Sequence, residues 1–214
     1  YDGELICADS RTVYKGMDVG TAKPTSNDQK QVRHHLLDVV EPDEPFTAAQ
    51  FKELAQKAIV DITSRGKLPI MVGGTGLYAD ALIFDYQFGD TADPTRRHEL
   101  QAMTVEELQQ LCLEEGYSLP LNLKNKRHLV RAVEMGGLMN QKKKLRPNTL
   151  VVAITTDRDV LKSRVTKRAH DMITEGVLDE VKKLGQKYGW ESEAMTGNIY
   201  RIMRPVVEGI LPLE

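Results

Sequence analysis

Apolar residues fall in short blocks along the chain, and the blocks follow two different periods. Glu4-Leu5-Ile6-Cys7-Ala8 has the length of a buried strand and delivers the polar pair Asp9-Ser10 at its C-terminal end. A polar loop with Gly16, Gly20 and Pro24 follows. A second short apolar run lies within residues 34–40 and closes at Glu41-Pro42-Asp43. Thr47 then reads as an N-cap, because Phe51, Leu54, Ala55, Ala58, Ile59 and Ile62 recur at helical spacing and Gly66 supplies a stop. Leu68 to Val72 has strand length, Gly73-Gly74-Thr75-Gly76 forms a turn, and Leu77 to Ile83 starts another helix. Helix, strand, turn and helix in this order predict a parallel α/β sheet.

The pattern changes near Asp85. Residues 85–98 read as loop, with Gly89, Asp93 and Pro94. Thr104 and Glu107 have the spacing of a capping box ahead of Val105, Leu108 and Leu111. A second helix is expected from about Lys124 to Met135. Residues 90–145 are thus read as a small helical insertion, ended by Gly136-Gly137 and a lysine run, within an α/β core made of 1–89 and 146–214. Leu150 to Thr155 is expected to return as a buried strand. After it, Leu161, Val165, Ala169, Met172 and Ile173 predict one apolar helix face, continued by Val177, Val181 and Leu184 beyond Gly176.

With 214 residues, 41% hydrophobic and 28% charged, the chain has the composition of a soluble domain. No apolar run approaches a membrane span, and the polar start at Tyr1-Asp2-Gly3-Glu4 does not resemble a signal peptide. Cys7 and Cys112 lack metal-type spacing, so both read as small core residues in a reduced, cytosolic setting.

The net charge of −2 does not announce a nucleic-acid partner. Three local basic clusters nevertheless stand out: Lys124/Lys126/Arg127/Arg131, Lys142-Lys143-Lys144 with Arg146, and Lys162/Arg164/Lys167/Arg168. Each fits phosphate contacts or, equally, a solvated helix face. Asp9 has the same ambiguity. A carboxylate at a strand end can act as general base, or can simply cap a turn. His34 and His35 abut an apolar run, and one of them is expected to pack or cap; Trp190 reads as a packing anchor.

Longer motifs break the tie. Asp9-Ser10, Val13-Tyr14, Gly16-Met17-Asp18 and Gly20-Thr21-Ala22-Lys23-Pro24 closely resemble the tRNA dimethylallyltransferase family. So do His34-His35-Leu36-Leu37-Asp38 with Phe46-Thr47-Ala48-Ala49-Gln50-Phe51, and Pro69 to Tyr78 around Gly73-Gly74-Thr75-Gly76. Weaker matches continue at 125–134 and 164–172, so the resemblance runs in order through most of the chain.

The resemblance implies a P-loop NTPase-like parallel sheet flanked by helices. It implies transfer of a dimethylallyl group from dimethylallyl diphosphate to the exocyclic amine of a tRNA adenine beside the anticodon, with magnesium at the diphosphate. Asp9 would be the general base. Ser10, Arg11, Thr12 and Thr75 would border the flipped-out adenine. Arg97 and the stretch Arg127, His128, Leu129, Val130 and Arg131 match positions that touch tRNA, as do Thr196, Tyr200 and Arg201. Arg164 and Arg168 would approach the departing diphosphate. No protein side chain is implied as a metal ligand, and a monomer is expected.

Two departures qualify this. The family opens with a Gly-x-x-x-x-Gly-Lys-Thr phosphate loop just before the Asp-Ser strand, and no such string occurs here. Truncation is the expected cause, and this stretch is expected not to turn over alone. Ile199 also stands where the family has glycine before the tyrosine, which would be costly if that turn needs positive φ. Rival readings are an adenylate isopentenyltransferase acting on free AMP, ADP or ATP, a P-loop kinase-like phosphotransferase, and a non-catalytic tRNA-binding remnant.

Overall fold

The computed structural model describes residues 2–88, 93–137 and 144–213. They divide into two compact units: Tyr1–Ile83 with Pro147–Glu214, and Phe84–Arg146. Gly89, Lys142 and Lys143, singled out above, lie outside the described residues.

The first unit is built on three parallel strands in the order β2-β1-β3. β1 (Gly3–Cys7) is central, with β2 (His34–His35) and β3 (Leu68–Val72) on its two sides. Parallel neighbours need crossovers, and the chain supplies α1 (Ser26–Gln31) before β2 and α2 (Ala48–Ser64) before β3. α2 starts where expected, on a reciprocal capping box between Thr47 and Gln50. Its buried stripe of Phe51, Ala55, Ala58 and Ile62 packs with Ile6 and Ala8 and with Tyr78 and Leu82 of α3 (Gly76–Ile83). Phe51 and Tyr78 stack with ring centroids 4.3 Å apart. Gly66, at φ +72°, ends the helical run.

Glu4 is a carboxylate buried on the central strand. Arg65, just past α2, hydrogen-bonds to both of its oxygens, and His35 Nε2 lies 2.7 Å from Oε2. The Arg65 hydrogen bonds, then the one from His35, hold the Glu4 carboxyl well below the usual range. His34 Nδ1 meets the Val32 carbonyl at 2.8 Å. Both histidines therefore serve the sheet, as their position beside an apolar run suggested.

The second unit packs α4 (Pro94–Ala102), α5 (Val105–Glu114) and α6 (Lys126–Glu134) around Leu100, Leu108, Cys112, Leu129, Val130 and Ala132. Thr104 and Glu107 form the expected capping box on α5. Arg97 on α4 clamps Glu134 on α6 through Nε at 2.6 Å and Nη2 at 2.8 Å.

Back in the first unit, α7 (Arg158–Thr174), α8 (Val177–Tyr188) and α9 (Asn198–Val207) follow. Met172, Val177, Val181, Leu184 and Tyr200 form a second core with Val13, Tyr14 and Met17. Trp190 packs on Gly185, where an added Cβ would fall 2.5 Å from its ring, which confirms it as a packing anchor.

Four expectations are corrected. Residues 94–98, read as loop, open α4, with Asp93 as its N-cap and Pro94 at its start. Residues 150–155 do not form a buried strand: they are unpaired, with Leu150 87% and Ile154 95% exposed. A strand exists only through hydrogen bonds to a neighbour, and none of the described strands pairs with this segment. The predicted apolar face of α7 is buried only at its end, since Leu161 and Val165 are exposed and Met172 is covered. No described segment supplies the cover that its spacing calls for. Finally, Ile199 sits in the first turn of α9, not in a turn of positive φ, so its branched side chain is unstrained there. Among the described residues, no helix is long and apolar enough to cross a membrane.

Candidate active site

The C-terminal end of β1 turns immediately into Asp9. Its Oδ1 accepts from the amides of Arg11 at 2.7 Å and Thr12 at 3.2 Å, the arrangement of a capped turn. The other oxygen, Oδ2, accepts no hydrogen bond from any described residue. The two readings of this residue are thus divided between its two oxygens. One shapes the turn, and the other is unengaged by the described residues.

Asp9 lines a cleft with a cavity volume of about 300 Å³, shared with Arg11, Gly20, Thr21, Gly197, Asn198, Ile199 and Tyr200. The far wall is the start of α9, whose N-cap is Gly197 and which no side chain caps. Arg11 reaches across to it. Its Nη1 donates to the carbonyls of Glu193 at 3.0 Å and Ala194 at 3.4 Å, and its Nη2 donates to Thr196 Oγ1 at 3.2 Å.

The Gly-Gly-Thr turn stands behind the strand end and does not line the cleft. Thr75 Oγ1 accepts from the Ser10 amide at 3.0 Å, and its own amide donates to the Ala8 carbonyl at 3.2 Å. Gly73 passes so close that a Cβ on it would lie 2.1 Å from the Ala8 carbonyl oxygen. Only glycine permits that approach.

A loop from Gly16 to Lys23 forms the remaining wall. Lys23 is buried and its Nζ binds the Tyr14 carbonyl at 2.8 Å, Asp38 at 2.6 Å and Asp18 at 2.8 Å. The next hold on the loop comes from Glu180 on α8. Its Oε2 accepts from the amides of Asp18 and Val19, both at 2.8 Å, and its Oε1 from Gly20 at 2.9 Å. The Tyr200 hydroxyl donates to the same Oε1 at 2.7 Å. Burial, with the Glu180 charge next, pushes the Tyr200 phenol well above its ordinary value. The same cause raises Cys7 to about 11, with the Asp9 charge adding to it, so this thiol behaves as an inert core group.

Of the sequence-predicted site residues, Asp9, Arg11 and Tyr200 come together in the cleft, and Ser10, Thr12, Thr75 and Thr196 brace it. Thr12 is buried and its Oγ1 has no partner among the described residues. Arg201 projects from α9 as an exposed side chain. Arg164 and Arg168 are exposed on α7 and do not line the cleft.

In the second unit, Arg127 and His128 are exposed and Arg131 is half-buried. Leu129 and Val130 are corrected as side-chain contacts, because both are sunk in the core of the insertion. Arg97 spends its guanidinium on Glu134. The sequence reading missed Glu180 and the Glu193–Ala194 carbonyls. Nothing in the spacing of α8 marks a surface glutamate as the partner of a loop 160 residues away.

The IPP transferase family pattern matches residues 12–214. The chain belongs to the IPP transferase family. It is 36% identical to a tRNA dimethylallyltransferase of Staphylococcus saprophyticus, across 100% of this chain and 74% of that protein. It is 37% identical to one from Anoxybacillus flavithermus, across 100% of this chain and 72% of the relative. The crystal structure of a Bacillus halodurans tRNA isopentenylpyrophosphate transferase superposes with a TM-score of 0.70 at 37% identity, covering 99% of this chain and 71% of that one. A eukaryotic dimethylallyltransferase acting on tRNA shares the fold, with a TM-score of 0.74 at 22% identity. The P-loop-like α/β class expected from the motifs is therefore the class of this IPP transferase chain.

The magnesium implied by the resemblance finds no fitting set of side chains here. The one group of metal-type spacing among the described residues is Glu4, His35 and Asp61. The Arg65 guanidinium already bonds to both of those carboxylates, and Lys67 lies 3.6 Å from Glu4. A hard divalent cation needs a shell of oxygens and no adjacent cations.

Proposed function

We propose that this IPP transferase chain catalyses dimethylallyl transfer from dimethylallyl diphosphate to the exocyclic amine of an adenine next to the anticodon in tRNA. The observation that carries the reading is the split carboxylate of Asp9, with Oδ1 fixed by two amides and Oδ2 unengaged by any described residue, on a residue that lines a cleft of about 300 Å³. The amine nitrogen attacks the first carbon of the allyl group as the carbon–oxygen bond to diphosphate breaks. Its proton passes to Asp9 Oδ2, and diphosphate carries away the electron pair. An aromatic amine is a weak nucleophile, so a fixed acceptor for that proton is worth roughly 10²–10⁴-fold in rate.

In this reading Arg11 fixes the wall at Thr196 and is itself held in place by three acceptors. Arg127 and His128 supply exposed polar contacts for tRNA from the insertion, and Arg201 does so from α9. Magnesium would accompany the diphosphate. Arg164 and Arg168, solvent-facing on α7, are free to meet a polyanion. A reduced cytosolic setting agrees with two free, buried cysteines.

The test is incubation of the intact enzyme with labelled dimethylallyl diphosphate and either tRNA or AMP. Label is expected in tRNA. Label in AMP alone would transfer the assignment to the adenylate isopentenyltransferases, and phosphoryl transfer from a nucleoside triphosphate would favour the kinase-like reading.

A further inference from the structure

Three successive amides, those of Asp18, Val19 and Gly20, converge on the Glu180 carboxylate at 2.8–2.9 Å. Consecutive amides curled in this way make an anion-binding concavity. Here the anion is the protein's own, brought from α8, and charge-assisted bonds of this kind are about twice as strong as neutral ones. Glu180 does not itself line the Asp9 cleft, but Gly20 and Tyr200, which it holds, both do. Those two are also packed without slack. A Cβ on Gly20 would fall 2.8 Å from the Tyr200 hydroxyl oxygen and 2.9 Å from Cζ, although Gly20 has no unusual φ.

We propose that Glu180 is a positioning residue for the tRNA acceptor: it locks the Asp18–Gly20 backbone to Tyr200 and so sets the wall of the cleft into which the adenine is received. This rests on the prenyl-transfer reading above and deepens it. The far side of the same loop is held by Lys23, bonded to Asp38 and Asp18. Lys23 therefore pins the loop through Asp18 and Asp38, while Glu180 ties Gly20, the member of the three that lines the cleft, to Tyr200. A glutamine there is a poor substitute. With its NH2 at the Oε2 position the Asp18 and Val19 amides lose their acceptor, and with it at the Oε1 position the Gly20 amide does, while the Tyr200 hydroxyl can turn to accept.

The decisive experiment uses the intact enzyme with Glu180→Gln and, separately, Tyr200→Phe. KM for tRNA, KM for dimethylallyl diphosphate and kcat are measured in prenyl transfer. Filter binding of tRNA and hydrogen exchange at amides 18–20 are measured on the same proteins. Glu180→Gln is expected to raise KM and Kd for tRNA roughly tenfold, to leave KM for dimethylallyl diphosphate within about twofold, and to speed exchange at 18–20. Tyr200→Phe, which removes one bond to the same carboxylate, is expected to move tRNA affinity in the same direction by less. Faster exchange with unchanged tRNA affinity would overturn the proposal, as would parallel losses in both KM values and in Tm. Should Glu180→Gln fail to fold, an unchanged tRNA affinity in Tyr200→Phe overturns it alone. Wild-type enzyme that does not prenylate tRNA sinks the functional reading instead, and the binding and exchange measurements still decide the role of Glu180.

Discussion

The Ser10 amide donates to Thr75 Oγ1 at 3.0 Å, joining the end of β1 to the turn after β3 across 65 positions of sequence. This bond and the Thr75-to-Ala8 backbone bond hold the residues on either side of Asp9 in place. They are possible because Gly73 lets the two strand ends touch. Gly73→Ala would put a methyl 2.1 Å from a backbone oxygen, which no rotamer can relieve. It is expected to lower stability by about 1–3 kcal/mol and to cut turnover through displacement of Asp9. Thermal unfolding beside a prenyl-transfer assay checks both.

Asp9→Asn keeps an acceptor for the Arg11 and Thr12 amides while removing the basic oxygen. Turnover is expected to fall by roughly 10²–10⁴, with tRNA affinity and Tm close to wild type. Asp9→Ala should add a loss of stability, because the turn itself loses its acceptor. Near-normal rates in Asp9→Asn would remove this carboxylate from the chemistry.

Gly20→Ala tests the packing of the loop on Tyr200 from the opposite side. The added methyl must displace the phenol ring, so the Tyr200-to-Glu180 bond at 2.7 Å is expected to lengthen or break. Weaker tRNA binding with an unperturbed second unit is the expected outcome, read by binding and by unit-resolved hydrogen exchange.

Glu134 is buried with its charge met by Arg97 and, at 3.4 Å, by Arg131. The Arg97 hydrogen bonds hold its carboxyl below the ordinary glutamate range. A carboxyl with a depressed folded-state pKa contributes stability that is present above its unfolded value and is lost as pH falls through the folded one. The α4–α6 pairing should therefore loosen in acid, below the normal titration of glutamate. Arg97→Ala is expected to cost about 2 kcal/mol at neutral pH and to flatten this acid dependence. Urea unfolding across an acid series checks it.

Much of the core could be read from the chain because its signals are local. Thr47 with Gln50, and Thr104 with Glu107, are complete instructions within four residues, and both caps formed. Asp9 was legible through the long motif around it, though the division of labour between its oxygens needed coordinates. Residues 150–155 misled because an apolar run states a wish for burial but not who provides it. Leu129 and Val130 misled in another way: a motif match conveys which positions recur, not whether they face water or the core. Glu180 was invisible, since three of its four partners are backbone amides and amides leave no trace in residue type.

β3 closes one side of the sheet with its outer hydrogen-bonding row unclaimed by any described strand, and the apolar residues from Leu150 to Ile154 are exposed. Bare edges and uncovered aliphatic stretches are adhesive. This polypeptide on its own should be short-lived at high concentration, clumping through strand exchange between molecules. Light scattering against dilution, with a lysine placed at Val152, would gauge how much of that stickiness the single stretch contributes.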